Sequence, residues 1–256
     1  MPAWPIIRYP FLLEARLRVS KAITIFLPLI TTTDLPMDLQ LARSNMIEQQ
    51  VRPWDVLDQR VLDVLAEVPR EAFLNEKHQG LAYSDFQLPI GHGQHMLKPT
   101  IDGRLLQALL LRLTDTVLEI GTGSGYLTAC LAKLCAHVDS IEIIPELAGS
   151  AKQRLEALGV TNVSVMQQDA SATWDAKDGY DAIAFAGSIP AIPDYYRNKL
   201  NVGGRLFALI GEASRPTMEA VVVTRVHEQE WARESLFEAT VDPLVNFDSV
   251  SPDFVF

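Results

Sequence analysis

One short segment, residues 116–126 with the sequence TVLEIGTGSGY, limits the possible folds of this chain more than any other. It begins with an apolar run typical of buried strands, and an alanine- and leucine-rich segment follows it. Three glycines alternate in between: Gly121, Gly123 and Gly125. Glycine is required where the backbone adopts dihedral angles closed to other residues or where a ligand must approach the main chain. The pattern predicts a strand, a tight loop and a helix that begins near Ser124, with its free N–H groups directed at a ligand.

The spacing of the glycines distinguishes between two ligand classes. In the dinucleotide fingerprint G-x-G-x-x-G/A the third small residue comes one position later than here, where Tyr126 occupies that position. Glu119 lies two residues before the first glycine, where a carboxylate can face the methionine ammonium group of S-adenosylmethionine but would repel a pyrophosphate. The segment therefore favours S-adenosylmethionine over a dinucleotide.

Acidic residues follow the next two predicted strands. Glu142 ends the strand at 137–141, roughly twenty residues after the glycine loop, where an acid can accept hydrogen bonds from both ribose hydroxyls. Asp169 follows the strand at 163–166 and can bond the adenine amino group. The predicted cofactor-binding residues are Glu119, Gly121, Thr122, Gly123, Gly125, Glu142, Ile143, Asp169 and Ala170.

Strand and helix patterns alternate beyond the glycine loop, as a doubly wound sheet requires. Further elements are predicted as strands at 180–185 and 205–210, helices at 145–158 and 192–200, a Gly203–Gly204 turn, and antiparallel strands at 220–226 and 235–241. The fold class is therefore α/β, with a doubly wound, mostly parallel, Rossmann-like sheet of the S-adenosylmethionine methyltransferase type. Antiparallel strands complete it at the C-terminal end.

The part of the chain before the glycine strand has a different character. Helices are predicted at 37–51, 56–66 and 100–111, with irregular structure at 75–87 and a loop at 88–94 that could fold over the cofactor. Residues 37–112 are therefore a helical lead-in with a substrate loop, and residues 113–256 are the cofactor-binding core. Together, residues 37–256 form one predicted methyltransferase domain.

Residues 1–36 combine a basic lead with an apolar run at 22–30 that Pro28 interrupts. The run is too short to span a bilayer. A targeting peptide is an alternative, but no small-residue cleavage site follows the run. The favoured interpretation is a dispensable or disordered extension, with Met37 as the working start.

Composition excludes several function classes. A formal net charge of -10 with no basic run argues against a nucleic-acid surface, which needs clustered lysine and arginine. The two cysteines, Cys130 and Cys135, are expected to be reduced core residues of a cytoplasmic protein, and no Cys or His set has the spacing of a metal site. The sequence does not predict an oligomeric state.

The order of motifs resembles the protein-L-isoaspartate O-methyltransferase family over essentially all of residues 41–244. The matching segments are 42–50, 68–73 (VPREAF), 82–85 (AYSD), 88–94 (LPIGHGQ), 117–126, 162–163 and 200–205. The resemblance implies methyl transfer from S-adenosylmethionine to the α-carboxylate of isoaspartyl residues in damaged proteins. The ester then closes to a succinimide that can reopen as normal aspartate, so the implied partners are isoaspartyl proteins or peptides.

The implied reaction needs few catalytic groups. A carboxylate is already ionised at neutral pH and requires no general base. Its attack on a sulfonium cation loses charge as the reaction proceeds, so the protein must mainly supply alignment and exclude water. A closing loop is therefore expected more than a catalytic triad.

The chain departs from the family pattern after Gly93-Gln94. The family continues Thr-Ile-Ser-x-Pro, whereas residues 95–99 are HMLKP, so Leu97 occupies the place of the active-site serine and cannot donate a hydrogen bond. The family's C-terminal Phe-Val-Pro-Leu is also altered, to VDPL at 241–244. Two hypotheses follow: either Lys98 or His95 holds the acceptor carboxylate by a charge-assisted bond, or the acceptor has changed.

Two alternative functions remain open. One is an S-adenosylmethionine enzyme acting on another acceptor, such as a small-molecule hydroxyl or acid, with His92 or His95 as the base. The other is a catalytically silent cofactor-binding module. Methylation of exocyclic base amines is disfavoured, because residues 186–190 (AGSIP) lack the Asn- or Asp-Pro-Pro-aromatic motif of such enzymes.

Overall fold

A computed structural model describes residues 38–172, 177, 179–211 and 217–247. Its centre is a seven-stranded sheet with the strand order β5-β4-β3-β6-β7-β8-β9. The parallel strands are β3 (Thr116–Ile120), β4 (His137–Glu142), β5 (Val163–Gln167), β6 (Tyr180–Ile189) and β7 (Leu200–Ile210). The antiparallel strands are β8 (Met218–His227) and β9 (Glu230–Ala239). This arrangement confirms the predicted fold class.

The strand order places the ligand site. Strand β3 pairs with β4 on one side and with β6 on the other. The strand order therefore reverses at β3, because the chain continues first to one side of this strand and later to the other. Ligands of open α/β sheets bind in the crevice at this point, outside the carboxyl ends of the strands. Val117, Leu118 and Ile120 are buried, because helices cover both faces of a parallel sheet. The rigid strand therefore holds the glycine loop at the crevice.

The helices surround this sheet and precede it. They are α1 (Leu39–Met46), α2 (Gln59–Glu67), α3 (Glu76–Gln79), α4 (Pro99–Leu109), α5 (Tyr126–Leu134), α6 (Pro145–Ala157) and α7 (Asp194–Asn198). The Asp38 carboxylate accepts from Gln40 N and Leu41 N and so caps α1, while Asp58 caps α2 through Arg60 N. Helix α2 buries Val61, Leu62, Val64 and Leu65. The lead-in is thus part of the core.

The prediction of a loop at 88–94 is wrong. The structure has a β-hairpin there, in which β1 (Leu88–Gly91) pairs antiparallel with β2 (Gln94–Met96). His92 and Gly93 form its turn with φ angles of 54° and 73°. Pro89 lacks an N–H, but proline is tolerated in a two-stranded ribbon whose outer edge faces solvent. The glycines and the proline correctly predict the turn. They also favour a loop over the two short strands beside it, which is why the strands were missed.

Other predicted boundaries also need correction. Gly203 and Gly204 lie within β7 rather than in a turn, although Gly203 has a φ of 87°. The helix predicted at 192–200 is limited to α7, and the segment predicted as irregular at 75–87 contains α3. The helix predicted at 37–51 is α-helical only to Met46 and continues as a π-helical turn, Ile47–Val51.

The remaining sequence predictions concern the cysteines, metals and the N-terminal segment. Cys130 and Cys135 are both free and buried. Among the described residues, no group of acidic, histidine or cysteine side chains is arranged to hold a metal. Nor does any helix in this part of the chain have the length and apolar character needed to cross a membrane. The chain divides between Pro36 and Met37, and the predicted extension at 1–36 lies outside the described residues.

Candidate active site

A cavity of about 680 Å³ lies at the carboxyl edge of the sheet. Three parts of the chain form most of its walls: the ends of strands β3 to β6 with the glycine loop, the β1–β2 hairpin, and the C-terminal segment from Asp242 to Phe247. A smaller cavity of about 310 Å³ shares Leu97 and Gly121 with it and extends towards Asp102 and Tyr126. The two cavities are therefore adjacent.

The glycine loop brings the main chain to the cavity surface. Gly121, Gly123 and Gly125 have φ angles of 94°, 54° and 91°, in the region that favours glycine. A Cβ atom on Gly121 would lie 2.9 Å from Leu244 Cδ2, and one on Gly123 would lie 3.1 Å from Ile90 Cδ1. Side chains at these positions would fill the cavity. The loop thus fits a ligand that lies against the backbone.

Glu142 lies at the end of β4 and lines the cavity. Its Oε2 accepts a hydrogen bond from Gly123 N at 2.7 Å, and its Oε1 accepts one from Ile144 N at 3.0 Å. A carboxylate oxygen has a second lone-pair direction, so both oxygens can still accept from a ligand. The two backbone bonds fix the carboxylate at the cavity wall. This placement is compatible with the predicted contact to ribose hydroxyls.

Glu119 occupies a different environment from the one that the sequence predicts. Its side chain is fully buried beneath the glycine loop and does not line the cavity. Oε2 accepts hydrogen bonds of 2.5 Å from Thr128 Oγ1 and Ser140 Oγ, whereas Oε1 has no partner among the described residues. Burial raises the pKa of Glu119 to about 8, although the two hydroxyl donors oppose this rise. Its contact with a ligand ammonium group stays a prediction.

Two further predicted residues sit at the edge of the cavity. Ala170 lines it, whereas the neighbouring Asp169 does not. The Asp169 carboxylate accepts from Ser171 N and Ser171 Oγ through Oδ1, and from Asn246 Nδ2 at 2.8 Å through Oδ2. Asp169 therefore links the end of β5 to the C-terminal segment. Its contact with adenine stays a prediction.

Residues 241–247 form one wall of the cavity. Ser188 N donates to Asp242 O and Leu244 N donates to Ser188 O, both at 2.9 Å, which fastens this segment to the end of β6. Phe247 is buried and packs its ring edge-on against Phe185, with centroids 5.9 Å apart. The sequence analysis did not assign this segment to the site. Its apolar residues, Leu244, Val245 and Phe247, directly after the last strand are the signal that could have found it.

The hairpin brings the predicted catalytic residues to the other end of the cavity. His95 and Leu97 line it, and His95 Nδ1 lies 2.7 Å from Asp242 Oδ2. Lys98 does not line it, and its Nζ lies 4.0 Å from Asp85 Oδ2. The structure therefore brings His95 and Leu97 together at the hairpin side of the cavity and directs the Lys98 ammonium group towards Asp85.

A buried ion pair supports this end of the site and was missed by the sequence analysis. Arg70 Nη1 donates to Asp102 Oδ2 at 2.6 Å, Nη2 donates to Leu97 O, and the guanidinium lies 4.6 Å from the centroid of the Tyr126 ring. Burial raises the pKa of the Asp102 carboxyl, and the Arg70 guanidinium opposes that rise. The arginine thus fixes the backbone at Leu97. Its sequence signal is the VPREAF segment, which alone does not reveal the partner.

Comparisons with known proteins show which protein family this chain resembles. Residues 41–245 match the family model "Protein-L-isoaspartate(D-aspartate) O-methyltransferase (PCMT)". A protein-L-isoaspartate O-methyltransferase from Rhodopseudomonas palustris is 40% identical over 200 residues, which are 78% of this chain and 91% of the relative. One from Syntrophotalea carbinolica is 37% identical over 209 residues, 82% of this chain and 95% of the relative.

A solved structure extends the comparison to the fold. The Plasmodium falciparum protein named as a beta-aspartate methyltransferase, crystallised with S-adenosyl-L-homocysteine, superposes with a TM-score of 0.67. It is 20% identical in sequence, and the match covers 80% of this chain and 97% of that one. At this identity the similarity concerns the fold.

Proposed function

This chain belongs to the protein-L-isoaspartate(D-aspartate) O-methyltransferase family, and on that premise we propose that it methylates the α-carboxylate of isoaspartyl residues in proteins. The observation that carries the proposal is the cavity at the end of β3, where a glycine loop and the fixed Glu142 carboxylate face the C-terminal segment and the hairpin. S-adenosylmethionine, when bound, supplies a methyl group on a cationic sulfur.

The part of the proposal that concerns the cofactor rests on the shape and the polar groups of the cavity. Side chains at Gly121 and Gly123 would fill the space that the loop leaves open, and Glu142 presents acceptor oxygens at the wall. We infer that Glu142 accepts from the ribose hydroxyls, while Thr122, Gly125, Ile143 and Ala170 shape the surrounding surface. The adenine contact of Asp169 and the ammonium contact of Glu119 belong to the same proposal.

The acceptor half rests on the chemistry of a carboxylate. With S-adenosylmethionine bound, one acceptor oxygen would form the bond to the methyl carbon while the methyl–sulfur bond broke and left its electron pair on the sulfur. The products would be a neutral ester and a neutral thioether, and no proton would move. The protein therefore needs to align the two groups and exclude water. Leu97 is buried and apolar. Its side chain can therefore exclude water from the acceptor but cannot form a hydrogen bond with it.

Two residues that can carry a positive charge are candidates for holding the acceptor carboxylate. His95 lines the cavity, whereas Lys98, three residues further along the chain, does not line it and lies near Asp85. We infer that His95 makes the direct contact and that Lys98 contributes charge at the entrance. Replacing each residue with alanine tests this inference. His95→Ala should lower the rate of methyl transfer to the isoaspartyl peptide, because it removes the contacting group. Lys98→Ala should have the smaller effect.

The decisive experiment uses labelled S-adenosylmethionine and paired peptides that differ only in carrying an isoaspartyl or an aspartyl residue. Label on the isoaspartyl peptide alone is the expected result. The loss of the family serine at Leu97 supports a second candidate, methyl transfer to another acceptor with His95 as base. Cofactor binding without label on either peptide would favour that candidate or a silent binding module.

The location and extent of the enzyme are part of the same proposal. The two free, buried thiols, Cys130 and Cys135, are compatible with the cytoplasm, where cysteines stay reduced. We infer that residues 37–256 belong to the methyltransferase domain and that residues 1–36 are dispensable. A chain beginning at Met37 should then retain the cofactor affinity and the unfolding midpoint of the full chain, and a large loss of either would contradict this.

A further inference from the structure

Two polar side chains from distant parts of the chain meet at the cavity wall. His95 lies in β2, and Asp242 lies in the C-terminal segment that follows β9. The two residues are 147 positions apart in sequence, yet His95 Nδ1 and Asp242 Oδ2 are 2.7 Å apart. Leu97, an apolar residue, lines the same cavity.

The charges around the cavities give this pair a specific role. Among the described residues that line either cavity there is no lysine or arginine, and the acids are Glu142, Asp102 and Asp242. Asp102 is compensated by Arg70. An anionic acceptor would be repelled by the uncompensated acids. Of the lining side chains, only His95 can carry the positive charge that such an acceptor needs.

We propose that His95 and Asp242 form one acceptor-binding unit. Asp242 is the positioning residue: it holds the imidazole at Nδ1, so that Nε2 is the ring nitrogen free to meet the acceptor. Nε2–H of the imidazolium donates to one oxygen of the acceptor carboxylate while the other oxygen attacks. The histidine keeps its proton throughout. This inference rests on the proposed function and specifies how its acceptor is recognised.

The backbone of Asp242 makes the inference testable. Asp242 O accepts from Ser188 N at 2.9 Å, so the C-terminal segment stays attached to the sheet when the carboxylate is removed. His95 lies in β2, whose pairing with β1 likewise involves the backbone. Substitutions at both side chains should therefore leave the fold intact. Besides Asp242, the charged side chains that line the two cavities are Glu142 and the ion-paired Asp102, and Asp169 lines an adjoining cavity together with Asp242.

The experiment is a double-mutant cycle on peptide binding. The affinity of the full chain for a fluorescent isoaspartyl peptide is measured for His95→Gln, Asp242→Ala and the double variant. We expect each single variant to bind about 10- to 100-fold more weakly, as loss of a charge-assisted hydrogen bond implies. The double variant should bind no more weakly than His95→Gln alone, because the aspartate acts only through the histidine. Affinity for S-adenosylhomocysteine should not change.

The possible failures are distinguishable. Additive effects of the two substitutions on peptide affinity would refute the proposal that His95 and Asp242 act as one unit. A peptide affinity unchanged by His95→Gln would refute it as well. So would nitrogen-15 NMR signals of the His95 ring that Asp242→Ala leaves unaltered. If the wild type neither binds nor methylates the isoaspartyl peptide, the proposed function fails and the acceptor assignment fails with it, while the NMR result still decides whether Asp242 positions the ring.

Discussion

Glu119 should make the stability of this protein depend on pH in a way that one substitution removes. Burial raises the pKa of Glu119 to about 8 in the folded protein, against an ordinary value of 4.5. Between these two values the folded state binds more protons at this carboxyl than the unfolded state does. The free energy of unfolding therefore falls as the pH rises through the window. The stabilising contribution of the protonated carboxyl is complete below pH 4.5, the ordinary pKa of the group, and is lost above about pH 8.

The magnitude follows from the same two values. Between pH 6 and pH 8 the folded state keeps most of the proton and the unfolded state has none. At about 1.36 kcal/mol per pH unit and proton, the wild type should lose about 2 kcal/mol over this interval through Glu119 alone. Glu119→Gln abolishes this contribution, because an amide does not titrate. Its oxygen can still accept from Thr128 and Ser140. Any cost of burying its NH₂ group is independent of pH.

Urea unfolding at several pH values between 6 and 8 measures the effect. The difference between wild type and Glu119→Gln should change by about 2 kcal/mol across the interval, and other titrating groups cancel because both proteins contain them. Glu146→Gln is the matched control, since Glu146 is exposed on α6, and its curve should run parallel to the wild type. Parallel curves for Glu119→Gln as well would show that the carboxyl is ionised when folded and would refute the reasoning.

The same variant tests the predicted contact between Glu119 and the cofactor. If the ammonium group reaches Glu119, binding must ionise the carboxyl, and wild-type affinity for S-adenosylhomocysteine should rise by up to about 50-fold from pH 6 to pH 8. Glu119→Gln should lack this rise. An affinity that does not depend on pH in either protein would show that the buried carboxyl does not meet the ligand.

Three further predictions concern single residues. Asp102→Asn should lower the free energy of unfolding by about 3–5 kcal/mol, because it leaves a buried guanidinium without its counter-charge; a change under about 1 kcal/mol in urea unfolding would contradict this. Gly121→Ala should weaken cofactor binding at least about tenfold, because its φ of 94° and the 2.9 Å approach to Leu244 both oppose a Cβ. Gly149→Ala on α6 has open space and should bind the cofactor normally. Glu142→Gln should weaken cofactor binding by about 10- to 100-fold in calorimetry, because an amide group cannot accept from both backbone N–H groups.

Much of the framework follows from local sequence patterns. The apolar run, the alternating glycines and the acids after successive strands are short-range signals, and the parallel strands appear where these signals place them. The hairpin at 88–96 was missed because a two-stranded ribbon of three- and four-residue strands has too few residues for an alternating pattern to stand out beside its glycines.

The sequence alone determined the fold class, the family and the position of the glycine loop, because each depends on residues close together in the chain. Only the tertiary structure decided that Glu119 is buried below that loop, that Arg70 is paired with Asp102, and that His95 meets Asp242 across 147 residues. Such contacts depend on which elements the strand order brings together. Burial and charge pairing are properties of that arrangement, and no local pattern contains them.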